Sequence, residues 1–261
     1  MMHRSRFAAT VAALAALTQG DAIRAQQSDP SGPGSSYAGA PYLGILRDSV
    51  LYGDVWERTD LSKRDRSMIT IAVVQTMYAT EEIRSHIRRG LDNGLSPEEI
   101  SELITHVALY SGWPTGVNAS RVAAEVFWER SLPLGQTGAS HQPQPGTDEA
   151  RDQPITPAYE GAPYLGVLRN SVLYADVWER TLLSKRDRSM ITIAVNQANY
   201  FTEELKIHMR LGLQNGVRPE EIPELITHVA LYSGWPTGVN ASRTAVEVFE
   251  EGGLPLPQLR R

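Results

Sequence analysis

Apolar residues along this chain recur at intervals of three and four, and each such run opens behind a short polar turn. Ser62-Lys-Arg-Asp65 stands before Met68, Ile69, Ile71 and Ala72, so a helix capped by Ser62 is expected there. Thr80-Glu81-Glu82 opens a second segment, which Asn93-Gly94 ends as a left-handed C-cap. Ser96-Pro97-Glu98-Glu99 is the strongest start signal: a capping serine, proline at the first helical position, and a glutamate placed to close a capping box. The helix it begins runs through Leu103, Ile104, Val107 and Leu109 to a break at Gly112-Trp113-Pro114, and a last helix holds Val117, Val122, Val126 and Phe127. No segment alternates apolar and polar residues long enough to predict a strand. The expected fold class is all-α.

The pattern is then written a second time. A shift of 122 positions brings residues 37–130 onto 159–252 without a gap, and 72 of those 94 positions are identical. Residues 102–121 recur unchanged as 224–243. Self-similarity of this kind predicts a tandem duplication of one helical unit. Residues 131–158, rich in proline and without hydrophobic periodicity, read as a linker, 26–36 as a disordered stretch and 253–261 as a tail. In the second copy Arg218 replaces the capping serine and Pro223 replaces Ser101. Proline is tolerable only in a first turn, so an altered helix start is predicted there.

The first 25 residues are set apart. Arg4 and Arg6 precede an apolar run of ten, Ala8 to Leu17, and Ile23-Arg24-Ala25 ends in a small residue ahead of Gln26. This layout predicts a cleaved export signal, and hence a periplasmic or secreted protein that is not membrane-bound after cleavage. Cleavage after Ala25 would move the formal net charge from -5 to -7. That charge argues against nucleic acid as a partner. Cysteine is absent from the sequence, which removes thiolate metal sites and every thiol-based mechanism.

Several motifs now lie in register: Leu61-Ser-Lys-Arg-Asp-Arg-Ser-Met-Ile-Thr-Ile-Ala72, Glu81-Glu-Ile-Arg-Ser-His86, Asn93-Gly94 with Pro97-Glu-Glu-Ile100, and Glu102-Leu-Ile-Thr-His106 leading to Tyr110-Ser-Gly-Trp-Pro114. Together they resemble the carboxymuconolactone decarboxylase family, which shares an all-helical fold with the alkylhydroperoxidase D proteins. In the peroxidase branch a Cys-x-x-Cys pair stands four residues before a histidine matched here by His86 and His208. Glu82 and Glu204 occupy the second cysteine position, Ala79 and Phe201 the first. Peroxidase chemistry is therefore excluded. The decarboxylase branch resembles the Glu-x-x-x-His that this chain carries twice.

Read from spacing, Glu82 and His86 are i,i+4 neighbours on a helix, as are Glu102 and His106, with Tyr110 a further turn along. A carboxylate beside an imidazole fixes its tautomer and raises its basicity, which suits proton transfer near neutral pH; the alternative is a helix-surface ion pair. With the resemblance, the candidate catalytic residues are His86, His208, Glu82, Glu204, His106 and His228. Arg64 and Arg66, with Arg186 and Arg188, have the planar fork that binds a carboxylate, or else belong to a solvated first helical turn. Gln75 and Tyr78 (Gln197 and Tyr200) persist where four of the six positions 74–79 change between copies, a hint of pocket lining. Tyr110, Tyr232, Trp113 and Trp235 complete the candidate substrate-binding set. No tight metal-ligand motif is present, so no metal is expected.

The resemblance implies a lyase acting on a small carboxylated lactone or related acid. Such a reaction needs no cofactor, because the substrate carbonyl takes up the electrons left by carbon dioxide. A non-enzymatic small-acid binder of the same fold, or a lactone hydrolase, are the alternatives. The resemblance also implies assembly: the two repeats as a pseudo-dimer, and a homo-oligomer of three chains forming a ring.

Overall fold

The structure, a computed structural model, describes residues 36–134 and 157–258; the expected signal segment, almost all of the disordered stretch and most of the linker lie outside them. Ten α-helices and no strand occur among the described residues. Of the described residues, those up to Glu57 belong to one compact unit and those from Arg58 onward to a second. In the first unit, helix α1 (Pro41–Leu46) opens on a proline and runs into a π-helical turn, Arg47–Tyr52, and a short 3-10 turn, Val55–Glu57. Sequence periodicity gives no warning of these short turns.

The second unit holds α2 (Lys63–Thr76), α3 (Thr80–Asp92), α4 (Pro97–Ser111) and α5 (Trp113–Glu129), then α6 (Pro163–Leu168), α7 (Lys185–Ala198), α8 (Thr202–Gln214), α9 (Glu221–Ser233) and α10 (Trp235–Glu251). Local chemistry sets most of their ends. Ser62 accepts a hydrogen bond from the Asp65 amide, and Ser184 does the same for Asp187. Ser96 and Glu99 form the full capping box. Gly94 and Gly112 adopt positive φ, 96° and 97°, where L side chains are strained. The predicted disturbance in the second copy is present: α9 starts at Glu221, so Pro223 falls in its first turn and no side chain caps it. Half of the box survives, since Glu221 Oε2 still accepts from the Arg218 amide at 2.8 Å.

Helices α2 and α7 explain the architecture. Each is buried from its third residue to its thirteenth, and a helix buried on all sides needs partners all round. The two pack against each other, α4 crosses onto α7, and α9 crosses onto α2. One continuous core follows, with Met68, Ile69 and Ile71 of one copy and Met190, Ile191 and Ile193 of the other all inaccessible to solvent. The repeats interlock within one core.

Charges tie the same seam. Arg64 Nη2 donates to Asp187 Oδ2 at 3.0 Å and also pairs with Glu99. Arg186 Nη2 donates to Asp65 Oδ2 at 2.9 Å and to Glu221 Oε1 at 2.6 Å. The first helical turn is therefore neither a solvated run nor a free carboxylate anchor: Arg64 and Arg186 spend their forks on carboxylates of both copies.

Candidate active site

Residues on α4 and α7 converge on a box built by both copies. His106 projects from α4 of the first copy; Arg188 and Thr192 project from α7 of the second. His106 Nε2 lies 2.8 Å from Thr192 Oγ1, which donates its own proton to the Arg188 carbonyl at 2.8 Å. The hydroxyl therefore accepts from Nε2–H, and Nδ1 is left to accept from Arg188 Nη1 at 3.5 Å. Behind it, Arg188 Nη2 donates to Glu102 Oε2 at 2.9 Å and to the Arg180 carbonyl at 2.9 Å. Arg180 Nε donates to both oxygens of the same carboxylate. Burial alone would raise the Glu102 carboxyl pKa, but the two guanidiniums outweigh it and hold it below the usual range. His106 is driven well below the ordinary histidine value by burial first, then by Arg188 and His208.

Aromatic rings close the front of the box. Trp178 donates its indole N–H to the Tyr110 hydroxyl at 2.9 Å. His106 meets Tyr110 at 5.2 Å and Trp178 at 5.1 Å between centroids. His208, from α8, meets Tyr110 edge-on at 5.5 Å and stacks on Trp178 at 6.1 Å and 12°. Its Nδ1 is buried and has no hydrogen-bond partner. Desolvation lowers its pKa to about 4, so the imidazole is neutral at pH 7.

The second box repeats this plan with the copies exchanged. His228 lies 3.4 Å from Arg66 Nη1 and 2.7 Å from Thr70 Oγ1. Arg66 and Arg58 both hold Glu224. His86 meets Tyr232 edge-on at 5.3 Å and, like His208, has an unpartnered buried Nδ1. Its pKa is lowered to about 3, by burial and then by Arg89.

Several expectations need correction. Glu82 and Glu204 are exposed and make no bond to His86 or His208; the i,i+4 geometry exists, but α3 and α8 turn the histidine inward and the glutamate outward. Glu102 and His106 do share a face, yet Arg188 stands between them. Arg66 and Arg188 are fully buried and held by Glu224 and Glu102; the Nε of each lacks a partner but is itself buried, so neither presents an open fork to solvent. Gln75 and Gln197 line no pocket: each donates across the core, to the Ile104 and Ile226 carbonyls at 3.0 Å. Tyr78 and Tyr200 are exposed at positive φ, and Tyr78 donates to the Pro114 carbonyl. Trp113 and Trp235 are 72% and 73% exposed, outside both boxes.

Four contributors escaped sequence reading: Arg180 with its counterpart Arg58, Thr192 with Thr70, Trp178, and Tyr174, which stacks on Trp178 at 6.1 Å. Their signal was identity between copies, in the recurring Ser-Val-Leu-Tyr, Val-Trp-Glu-Arg-Thr and Met-Ile-Thr-Ile-Ala. Among the described residues no three His, Asp or Glu side chains converge as metal ligands, and no helix is long and apolar enough to cross a membrane. A groove of about 370 Å³ is lined by Arg58, Glu224, Pro223, Thr227 and tail residues such as Leu256, but by none of the box rings.

Comparison with known proteins follows the same lines. A model of the carboxymuconolactone decarboxylase family matches residues 41–125 and 163–247. The 4-carboxymuconolactone decarboxylase of Acinetobacter baylyi is 41% identical over 76 residues, 29% of this chain and 57% of that protein. The nitrosuccinic acid decarboxylase of Metarhizium robertsii is 34% identical over 76 residues, 29% of this chain and 53% of that protein. The chain thus spans little more than half the length of the curated relatives it matches. A solved chain described as a gamma-carboxymuconolactone decarboxylase subunit of Burkholderia xenovorans is 21% identical, with a TM-score of 0.45 over 87% of this chain and 92% of that one.

Proposed function

Because this chain belongs to the carboxymuconolactone decarboxylase family, whose model covers both of its copies, we propose that it is a carboxy-lyase releasing carbon dioxide from a small carboxylated lactone or related acid. The observation that carries the reading is the pair of buried imidazoles, His86 and His208, whose Nδ1 atoms lack partners beside Tyr232 and Tyr110. An unsatisfied polar atom in an aromatic enclosure is costly to maintain and marks a place for a ligand.

The chemistry follows from that setting. A carboxylate drawn among aromatic rings loses hydration and is favoured to leave as neutral carbon dioxide. The C–C bond breaks, its electron pair passes into the conjugated carbonyl as an enolate, and a proton must then reach carbon. His208 is neutral at pH 7, its pKa lowered to about 4 by burial. An anionic substrate supplies the missing counter-charge, so the imidazole takes up a proton with the ligand and delivers it to the enolate carbon. The balance is substrate carboxylate plus imidazolium giving carbon dioxide, protonated product and neutral imidazole. His106 and His228, each clamped between guanidinium and threonine, stay neutral and position the rings. The substrate's own carbonyl accepts the electrons, so no cofactor enters this scheme.

The test is direct. Incubation with 4-carboxymuconolactone and a panel of small lactone and dicarboxylic acids is expected to release carbon dioxide with at least one of them. No release from any, by a preparation whose circular dichroism is helical, overturns the reading. We further propose export, with cleavage after Ala25; N-terminal sequencing of protein from the producing cell is expected to begin at or near Gln26, and retention of Met1 overturns it.

A further inference from the structure

We propose that Arg169 is the carboxylate anchor of the box formed by His106, Tyr110, Trp178 and His208, and that the residue beside it, Asn170, is what keeps it available. This rests on reading the box as the substrate site. A retained carboxylate of the substrate would bind Arg169 while the reacting part of the molecule lies toward His208.

Three observations lead there. The arginines behind the box are already committed: Arg180 and Arg188 share Glu102, and Arg186 holds Asp65 and Glu221. Arg169 has no carboxylate among the described residues. Its Nη1 donates to the neutral Asn170 carboxamide at 2.9 Å, and its guanidinium lies over Tyr174 at 4.5 Å and Tyr159 at 5.9 Å. Cation–π contact orients a guanidinium without neutralising it, leaving its edge free for a charge-assisted bond.

Position supplies the second argument. The Tyr174 ring beneath Arg169 stacks on Trp178 at 20°, and Trp178 in turn stacks on His208 and binds the Tyr110 hydroxyl. The charge of Arg169 is felt at Tyr110, where it opposes the rise in hydroxyl pKa caused by burial. Arg169 therefore stands at the rim of the ring stack and is electrostatically coupled to its interior.

The third argument is the difference between the copies. The counterpart of Asn170 is Asp48, and in that copy Arg47 Nε donates to Asp48 Oδ1 at 2.7 Å. Asp48 raises the pKa of Arg47, chiefly through that bond. Replacing aspartate by asparagine keeps the hydrogen bond and removes the charge. The neighbouring Ser49 and Ser171 are unchanged, as are the flanking Leu46-Arg47 and Leu168-Arg169. The one substitution within this turn is the one that leaves the arginine's charge without a carboxylate beside it.

The experiment is calorimetric titration of the purified chain with paraconate, a stable lactone monocarboxylate, and with its methyl ester. Wild type is expected to bind the acid at least about tenfold more tightly than the ester, the size of a single charge-assisted contact. Arg169→Met should abolish that preference while leaving the ester unchanged. Asn170→Asp should do the same, and it reproduces an arrangement the chain already tolerates at Arg47, so loss of fold is not at issue. Equal binding of acid and ester by wild type, unchanged acid binding in both variants, or no saturable acid binding at millimolar concentration each overturns the assignment. Carbon dioxide release separates this proposal from the one it rests on. Arg169-dependent binding without turnover of any panel acid sinks the lyase reading and spares the anchor; turnover unaffected by Arg169→Met sinks the anchor alone.

Discussion

Two histidines contact both Tyr110 and Trp178, and their surroundings differ. His106 has both ring nitrogens engaged, whereas His208 has a buried Nδ1 with no partner. Substitution of His208 alone is expected to cost more turnover than substitution of His86 alone, since the uncompensated Arg169 stands at the rim of the box that holds His208. Removing both should cost about 10²–10⁴-fold in kcat with the helical signal retained, the range for loss of an acid–base group; a double variant with full turnover would sink the histidine mechanism. Glu82→Gln and Glu204→Gln should leave kcat/KM nearly unchanged, as neither carboxylate reaches its histidine. Burial of His86 and His208 also fixes a pH dependence. Their folded pKa values, about 3 and about 4, lie below the ordinary 6.5, so the unfolded chain binds more protons between those limits. Their stabilising contribution is complete above about pH 6.5 and falls by about 1.4 kcal/mol per pH unit for each histidine as pH drops toward 4. Denaturant unfolding at pH 7 and pH 5 checks this: the double variant should lose less stability than wild type over that interval.

At the level of elements, the helices approach so closely that single methyl groups matter. A Cβ built on Gly116 of α5 would lie 2.6 Å from the Ala108 Cβ of α4, and Gly238 repeats this against Ala230 of α10's neighbour α9. Neither glycine has positive φ, so the constraint is contact and not backbone freedom. Gly116→Ala should destabilise by about 1–3 kcal/mol, the usual cost of overpacking, despite alanine's better helix propensity. A midpoint of urea unfolding equal to or above wild type would refute that close approach. The ends of these helices were legible in sequence because caps are local: Ser62, Ser96, Gly94 and Gly112 act within a few residues of where they stand. The π-helical turns at Arg47–Tyr52 and Arg169–Tyr174 were not, since their conformation follows from no short-range residue preference.

For the molecule as a whole, the packing of α4 and α9 across both copies has the largest consequence. The first copy alone would expose the faces of α2 that α9 covers, along with Arg66, whose carboxylate partner Glu224 lies in the other copy. A buried charge without its partner costs about 3–5 kcal/mol. Residues 37–134 expressed alone are therefore expected to dimerise or fail to fold; a folded monomer by light scattering would contradict the interlocked core. The family resemblance implies a ring of six units from three chains, and we propose that such a ring would cover the exposed Trp113 and Trp235, 72% and 73% accessible. Light scattering of the full chain decides between that trimer and a monomer.

By itself the sequence determined what depends on neighbours along the chain. Helix class, cap positions, the duplication and the loss of thiol chemistry all follow from composition and spacings along the chain. Tertiary structure decided which partners those residues meet. Spacing placed Glu102 and His106 on one face correctly, but the face points at α7, so the carboxylate holds two arginines and the imidazole meets Thr192. The same periodicity that puts Glu82 and His86 within reach of each other leaves one in water and the other in the core, because the core's direction is set by the packing of α2 against α7. A 3.6-residue period tells which residues share a face; only the fold tells what that face meets.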